Sequence, residues 1–466
     1  MPFTSASFLY FFLPLTLMLY FAVPRCLKNP VLGLAGLVFF FWGEPRCWAL
    51  LPAAALAGYG HGLWIEKARG RRWQTVPLLS ALAVHAGLLF LVRYTDILRT
   101  NANSFFRAEP ALRFLLPLGV GVFTLQVLSY CLDLYRGRAV VQRSFSDFAA
   151  YVCLFPVLIA GPIVPYRQIE GQLRQRGHSW AGAAAGIRTF VIGLAKKVIL
   201  GNTLAQVGYI CARLEQPTVL FHWLAAAAFV LQIYYDLSGY SDMALGLLRT
   251  LGFQVPRNFN YPLAARSITG FWQRWFISLG TWVRDYIYAP LAGRTAGRAR
   301  EAAALLAAGV LLGMWHGPGW NMLAWGLVFA GLILLERLSL GRVLNRLPRC
   351  AGHVYVLLVL VLNFTLFRAQ GIQGGPASLR GMLGLAGLPW SSPETIFYLR
   401  SFSFTLVLAA LGAVPLLPRL AAAVRRSRAG ERALSLLEPV LLIALFLLAT
   451  GCLIDGYFSP YAFFKL

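Results

Sequence analysis

The sequence predicts an all-α, polytopic integral membrane protein with about 11 transmembrane helices plus re-entrant helices. Three observations predict it. The 466 residues are 58% hydrophobic and only 13% charged, well below the charged fraction of an ordinary soluble domain. Apolar stretches able to enter or cross a bilayer recur from one end of the chain to the other. The basic residues behind the net charge of +25 cluster in short loops between those stretches, as the positive-inside rule expects of cytoplasmic loops. Examples are Lys67, Arg69, Arg71 and Arg72, then Arg337, Arg342, Arg346 and Arg349, then Arg425, Arg426, Arg428 and Arg432. That distribution excludes nucleic acid as the partner of the charge. A second role for it is attraction of anionic lipid or of an anionic soluble donor.

In chain order the candidate spans are Ser7–Val23, Val31–Trp42, Cys47–Ile65, Val76–Val92, Phe114–Leu132, Phe148–Val164, Gly182–Leu200, Val219–Tyr235, the two halves of 302–335, His353–Phe367, Phe402–Leu417 and Leu434–Cys452. The first has no Lys or Arg before it, and Arg25 and Lys28 after it. It therefore lacks a signal peptide's charged start and is expected to be retained, with its N-terminus outside the cytoplasm. The seven cysteines show no CxxC pair and no metal spacing; they read as structural, and no metal site or bound cofactor is expected. No repeat or soluble domain interrupts the pattern, so one domain, 1–466, is expected, with a motif-rich core over about 114–335. The sparsely charged stretch from Gln370 to Arg400 is expected to face outward.

The centre of the chain is Ala302 to Leu335, which holds His316 near its middle. As one helix it would be roughly 50 Å long against a hydrocarbon core of roughly 30 Å. Gly317-Pro318-Gly319 marks the break, since proline removes a helix hydrogen bond and glycine tolerates the turn. The half before it, Ala302 to His316, is about 22 Å long and is expected to end inside the apolar thickness. An ionisable group there is a functional candidate. A neutral imidazole in an apolar pocket suits general-base attack of an alcohol on an activated acyl group. Gly309 and Gly313 form GxxxG, the spacing for close helix packing. The other histidines (His61, His85, His178, His222 and His353) lie near span ends or loops and read as structural. No GxSxG, Walker loop or HExxH is present.

Three further stretches carry polar groups at membrane depth. Residues 155–165 hold three prolines in an apolar run between basic loops. They read either as a segment that dips in and returns, which needs enclosing protein or a polar cavity, or as a proline-kinked span. Gln232 to Asp242 places Asp236 and Asp242 beside tyrosines; acids at that depth need partners, and Arg249 and Arg257 are candidates. Thr269 to Pro290 reads as one helix, with Arg274, Ser278, Thr281 and Asp285 in a polar stripe opposite Trp272, Trp275, Phe276, Leu279, Val283 and Tyr286. It is either an interfacial helix or one lining a cavity, with Arg274 or Arg284 meeting an anion.

Residues 258–293, NFNYPLAARSITGFWQRWFISLGTWVRDYIYAPLAG, followed by GMWHGPGWNMLAWG at 313–326, resemble the membrane-bound O-acyltransferase family, in its bacterial alginate O-acetyltransferase branch. LPLGVGVFTLQVLSYCLDLYRG (116–137), FPVLIAGPIVPYRQI (155–169), QIYYDLSGYSDMALGL (232–247), NFTLFRA (363–369) and the terminal FFKL are similar too, in the right order. The resemblance implies re-entrant segments around a central tunnel open to both sides. It implies that His316, in the family's WHG motif, is the base or proton relay for moving an acyl group from a cytoplasmic thioester to a hydroxyl. Trp315, Arg284, Asp285, Arg274, Trp272 and Asn258 would shape the tunnel, and Asp236 and Asp242 would support adjacent helices. One departure stands out: the branch carries a second histidine in a WRRWHISLS-like motif, where this chain has Phe276. Phenylalanine neither donates nor accepts a hydrogen bond. Either His316 suffices, or Asp285, Asp242 or Arg284 assists, or transfer is altered or lost.

The expected protein is thus a bacterial inner-membrane O-acetyltransferase using acetyl-CoA as donor. Its acceptor would be an exported polysaccharide or envelope glycan, and a periplasmic or membrane-anchored esterase-like acetyltransferase is implied as partner by resemblance. The rivals are a transporter or flippase of a lipid-linked or small substrate, and a scaffold that has lost its chemistry and recruits a secreted transferase.

Overall fold

In lipid, every backbone N–H and C=O must find its partner within the protein, and an apolar chain does so as helix. The computed structural model describes residues 2–106, 119–159, 161–214, 217–293, 297–317, 319–368 and 371–455, apart from the side chains of 92, 93, 95–106 and 371–373. Over these residues the protein is all-α, without a strand. Residues 114–118 of the fifth expected span, Ala160, Pro318, Ala369, Gln370 and the terminal FFKL lie outside them. Among the described residues, six helical stretches are long and apolar enough to cross a membrane: Arg25–Gly43, Val219–Thr250, Trp320–Arg346, Arg349–Arg368, Pro393–Gly412 and Arg428–Ile454.

The chain divides into two compact units, residues 1–190 with 243–256 and residues 191–242 with 257–466. In chain order the first carries α1 (Leu13–Ala22), α2 (Lys28–Gly43), α3 (Leu50–Ala68), α4 (Thr75–Phe106), α5 (Val120–Tyr135), α6 (Phe145–Val152), α7 (Phe155–Leu158), α8 (Tyr166–Arg174) and most of α9 (Trp180–Ala195). The proline-rich run is not a kinked span. Its helix stops at Val152, resumes for one turn in α7, and is irregular from Gly161 to Pro165. That irregular backbone is buried throughout, which is the condition for tolerating it at depth. The Tyr151 hydroxyl donates to the Val164 carbonyl at 2.9 Å, and Gly119, at φ +90°, leaves room for the Leu158 carbonyl.

The second unit carries the end of α9, which continues through a π-helical turn (Lys196–Gly201) into α10 (Asn202–Cys211). It also holds α11 (Val219–Thr250) as far as Asp242, α12 (Ile268–Trp272), α13 (Ile277–Val283), a π turn (Arg284–Tyr288) and α14 (Ala289–Ala292). Then come α15 (Arg298–His316), α16 (Trp320–Leu335), α17 (Gly341–Arg346), α18 (Arg349–Arg368), α19 (Gly371–Met382), α20 (Pro393–Gly412), α21 (Leu416–Val424) and α22 (Arg428–Ile454). The expected span 402–417 is in fact broken, since α20 ends at Gly412 and α21 restarts beyond Pro415.

The central break falls where the sequence puts it, between His316 and Trp320. The first half is longer than expected: α15 begins at Arg298 and is 19 residues long, about 28 Å, close to the hydrocarbon thickness. Its first turns are charged, which hid them from an apolar-run reading. α15 and α16 form a hairpin whose backbones touch at glycines. A Cβ on Gly326 would lie 2.2 Å from the Gly309 carbonyl oxygen, and one on Gly313 2.5 Å from that of Met322. Gly326→Val is therefore expected to force the hairpin apart and cost about 1–3 kcal/mol or more. Thermal unfolding of the purified variant checks this, and a wild-type Tm would refute the close approach.

Candidate active site

His316 is the last residue of α15 and is half-buried. Aromatic rings surround it edge to face: Trp315 at 4.8 Å, Trp325 at 5.0 Å and Phe367 at 5.3 Å between centroids, with interplanar angles of 77–79°. Trp325 comes from one face of α16 and Phe367 from the end of α18. The helix restart is tied to α18 by Asn321, whose Nδ2 donates to the Leu366 carbonyl at 3.3 Å. Three buried polar atoms around this nest have no hydrogen-bond partner among the described residues: Trp325 Nε1, Trp272 Nε1 and Asn363 Oδ1. Leaving such groups unpaired costs about 1–3 kcal/mol each.

A cavity of about 370 Å³ lies alongside. Its walls are Trp272, Ile277 and Thr281 on one side, and Leu305, Ala308 and Leu312 of α15 with Phe329 and Ile333 of α16 on the other; Arg284, Tyr288 and Arg337 add polar groups. His316 does not line it. Leu312, one turn before His316, does, and the Trp272 ring spans the gap by meeting Trp325 at 5.9 Å and Phe329 at 5.2 Å. The π turn supplies Arg284 and Tyr288, and Arg337 Nη1 donates to the Tyr288 hydroxyl at 2.8 Å. The site is an apolar slot with cations at one end of α16 and an imidazole near the other.

Trp272 is held in place by a residue the sequence reading missed. Glu336, buried, accepts from the Ile268 N–H (2.6 Å), the Thr269 N–H (2.9 Å) and the Thr269 hydroxyl (2.6 Å). A carboxylate on these orphan N–H groups and at the positive end of the short α12 helix stabilises it. The signal was visible as an acid closing a long apolar run at Leu335.

The helix expected over 269–290 is interrupted, and the polar stripe does not form. Phe276 has φ 42° and ψ 56°, a left-handed conformation that separates α12 from α13. For a residue with a Cβ this costs roughly 1–2 kcal/mol. Asn258 holds it there: its carbonyl accepts from Ile277 N–H (2.8 Å), its Oδ1 from Ser278 N–H (3.0 Å), and Asn260 N–H donates to the Arg274 carbonyl (2.9 Å). Asn258 is thus a buried cap for α13, Arg274 is exposed in the break, and Asp285 pairs with Arg284 at 2.9 Å. Phe276 stacks on Phe259 at 6.0 Å instead of pointing away from a stripe.

The two intramembrane acids lie within α11, not past its end, and their partners are lysines, not Arg249 or Arg257. Lys197 Nζ meets Asp236 Oδ1 at 2.7 Å, both almost fully buried, and Lys196 Nζ meets Asp242 Oδ2 at 2.7 Å, both partly buried. Pairing of this kind is what lets an acid sit at depth; the doublet Lys196-Lys197 inside an apolar run was the overlooked cue.

The chain belongs to the membrane-bound O-acyltransferase family, whose profile matches residues 136–374. That range includes every candidate residue from Asp236 to His316. Among individual proteins, it is 36% identical over 380 residues to the probable alginate O-acetylase AlgI of Azotobacter vinelandii, covering 80% of this chain and 76% of that one. It is 28% identical over 424 residues to the peptidoglycan O-acetyltransferase of Helicobacter pylori, covering 83% and 80%. It is 25% identical over 232 residues to the teichoic acid D-alanyltransferase of Bacillus subtilis, covering 46% and 58%. The family expected from the sequence is the family found.

Proposed function

We propose that the chain is a histidine-dependent O-acetyltransferase of the bacterial inner membrane. It takes acetyl from a cytoplasmic thioester, acetyl-CoA, for the O-acetylation of an exported polysaccharide or envelope glycan, working with a periplasmic esterase-like partner. The acceptor class rests on the alginate and peptidoglycan relatives. The observation that carries the reading is His316 at the tip of a helix hairpin, in an aromatic nest, one turn from an apolar cavity rimmed by Arg284 and Arg337.

In this reading the arginines attract the donor's phosphates and the apolar walls hold its acyl-bearing arm. An imidazole nitrogen of His316 takes the acceptor hydroxyl's proton as the oxygen attacks the thioester carbonyl. The tetrahedral adduct collapses by breaking the C–S bond, and the imidazolium returns the proton to the departing thiolate. Trp325 Nε1, buried and unpaired, would donate to the carbonyl oxygen as it gains charge.

Incubating membranes with acetyl-labelled CoA and measuring base-labile label in envelope glycan tests the function; no label above membranes lacking the protein would sink it. Trp325→Phe keeps an aromatic ring, smaller than the indole, and removes the N–H. A drop in kcat of about 100-fold with little change in KM is expected. An unchanged kcat would leave Nε1 without a role.

A further inference from the structure

In the first unit, basic side chains gather around Tyr20, and among the described residues no acid pairs with them directly; Asp147 reaches the cluster only through Asn29, whose Nδ2 donates to it at 2.6 Å. The buried Tyr20 hydroxyl accepts from Arg176 Nε at 2.8 Å and donates to the Leu251 carbonyl at 2.8 Å; His178 Nε2 lies 2.9 Å from the same oxygen. Arg176 Nη1 donates to Asn29 Oδ1 at 2.7 Å, and the guanidinium sits 4.5 Å over the Phe253 ring. Lys28 Nζ is 4.4 Å from the Tyr20 ring. Partial burial, and then Lys28, Arg176 and Arg25, hold the His178 imidazole below its ordinary range, so three cations are felt at one place. Among the described residues none of Arg25, Lys28 and Arg176 forms an ion pair, and Arg176 Nη2 is buried with no hydrogen-bond partner.

A basic loop that merely obeys the positive-inside rule needs none of this, because its cations are solvated and free to move. Here a guanidinium is clamped by Tyr20, Asn29, the Gln172 carbonyl and Phe253, with the two N–H groups of Nη2 left over, and the acceptor it lacks is an anion. The surroundings identify the kind of anion. Met18, Leu19 and Phe21 of α1 are exposed, Phe21 packs on His178 at 5.7 Å, and Trp180, 93% exposed, follows two residues after His178. Exposed apolar surface with a tryptophan beside fixed cations is the chemistry of a membrane interface.

We propose that this cluster binds the phosphate of an anionic phospholipid, with Arg176 Nη2, Lys28 and Arg25 on the headgroup and the acyl chains along Met18, Leu19 and Phe21. The site shares no residue with the proposed acyl-transfer centre.

Purified protein in detergent would be titrated with phosphatidylglycerol and with phosphatidylcholine of the same chains, reading retained lipid by native mass spectrometry and Tm in parallel. Wild type is expected to retain phosphatidylglycerol roughly tenfold better and to gain Tm from it alone. The side chains of Arg25 and Lys28 make no hydrogen bond among the described residues. Arg25→Gln with Lys28→Gln should therefore keep the lipid-free Tm and lose that preference. Arg176→Gln should lose it too, with a lower lipid-free Tm because Tyr20 and Asn29 lose their tie. Equal retention of both lipids, or a preference untouched in the double variant, overturns the proposal. Inorganic phosphate or ADP matching the effect of phosphatidylglycerol assigns the site to a soluble anion and overturns it equally.

Discussion

His316→Ala is expected to abolish transfer of label from acetyl-CoA to the envelope, by about 10²–10⁴-fold if the imidazole is the general base. The substitution also removes three edge-to-face contacts, with Trp315, Trp325 and Phe367, each worth about 0.5–1.5 kcal/mol. Loss of activity alone would therefore not separate chemistry from packing. His316→Phe does, because it restores a ring in the aromatic nest without a proton acceptor. If His316 is the base, both variants are inactive at matched membrane abundance, and the phenylalanine variant keeps the higher Tm. If it only packs, the phenylalanine variant transfers label like wild type. Equal labelling in all three would take the chemistry away from His316 altogether.

What the sequence made legible follows from which forces act locally. The all-α membrane class and the break at His316 are readable because hydropathy and glycine-proline chemistry are local properties. The interruption at Phe276 is not: no glycine marks it, and it is imposed by Asn258, which lies 18 positions earlier and whose carbonyl and side-chain oxygens accept from the Ile277 and Ser278 N–H groups of the restarting helix. A helical wheel over 269–290 cannot see a cap supplied from another segment. Glu336 was overlooked for the same reason, since its partners, Ile268 and Thr269, are 68 and 67 residues away. The acids were recognised as needing partners, yet the choice of lysines over arginines depends on which helix lies alongside α11. That is a tertiary fact with only a two-letter trace, Lys196-Lys197, in the sequence.

Lys197→Met is expected to destabilise the protein by about 3–5 kcal/mol, since it strands the Asp236 carboxylate, 2% exposed, without its counter-charge. Asp236→Leu should do comparable damage from the other side, leaving an ammonium whose remaining partner is the Asn202 side-chain oxygen at 2.8 Å. The double variant, Lys197→Met with Asp236→Leu, removes both desolvated charges and is expected to recover most of the loss. Lys196→Met gives the internal comparison: that pair is 25% and 24% exposed, so its rupture should cost less than that of the almost fully buried pair. Thermal unfolding of the four variants in one detergent reads these differences directly. Acyl transfer by the double variant then decides what the pair is for. A stable double variant that still labels the envelope makes the buried pair a structural tie between neighbouring helices. A stable one that no longer labels it places the charges themselves in the transfer path rather than in a purely structural role.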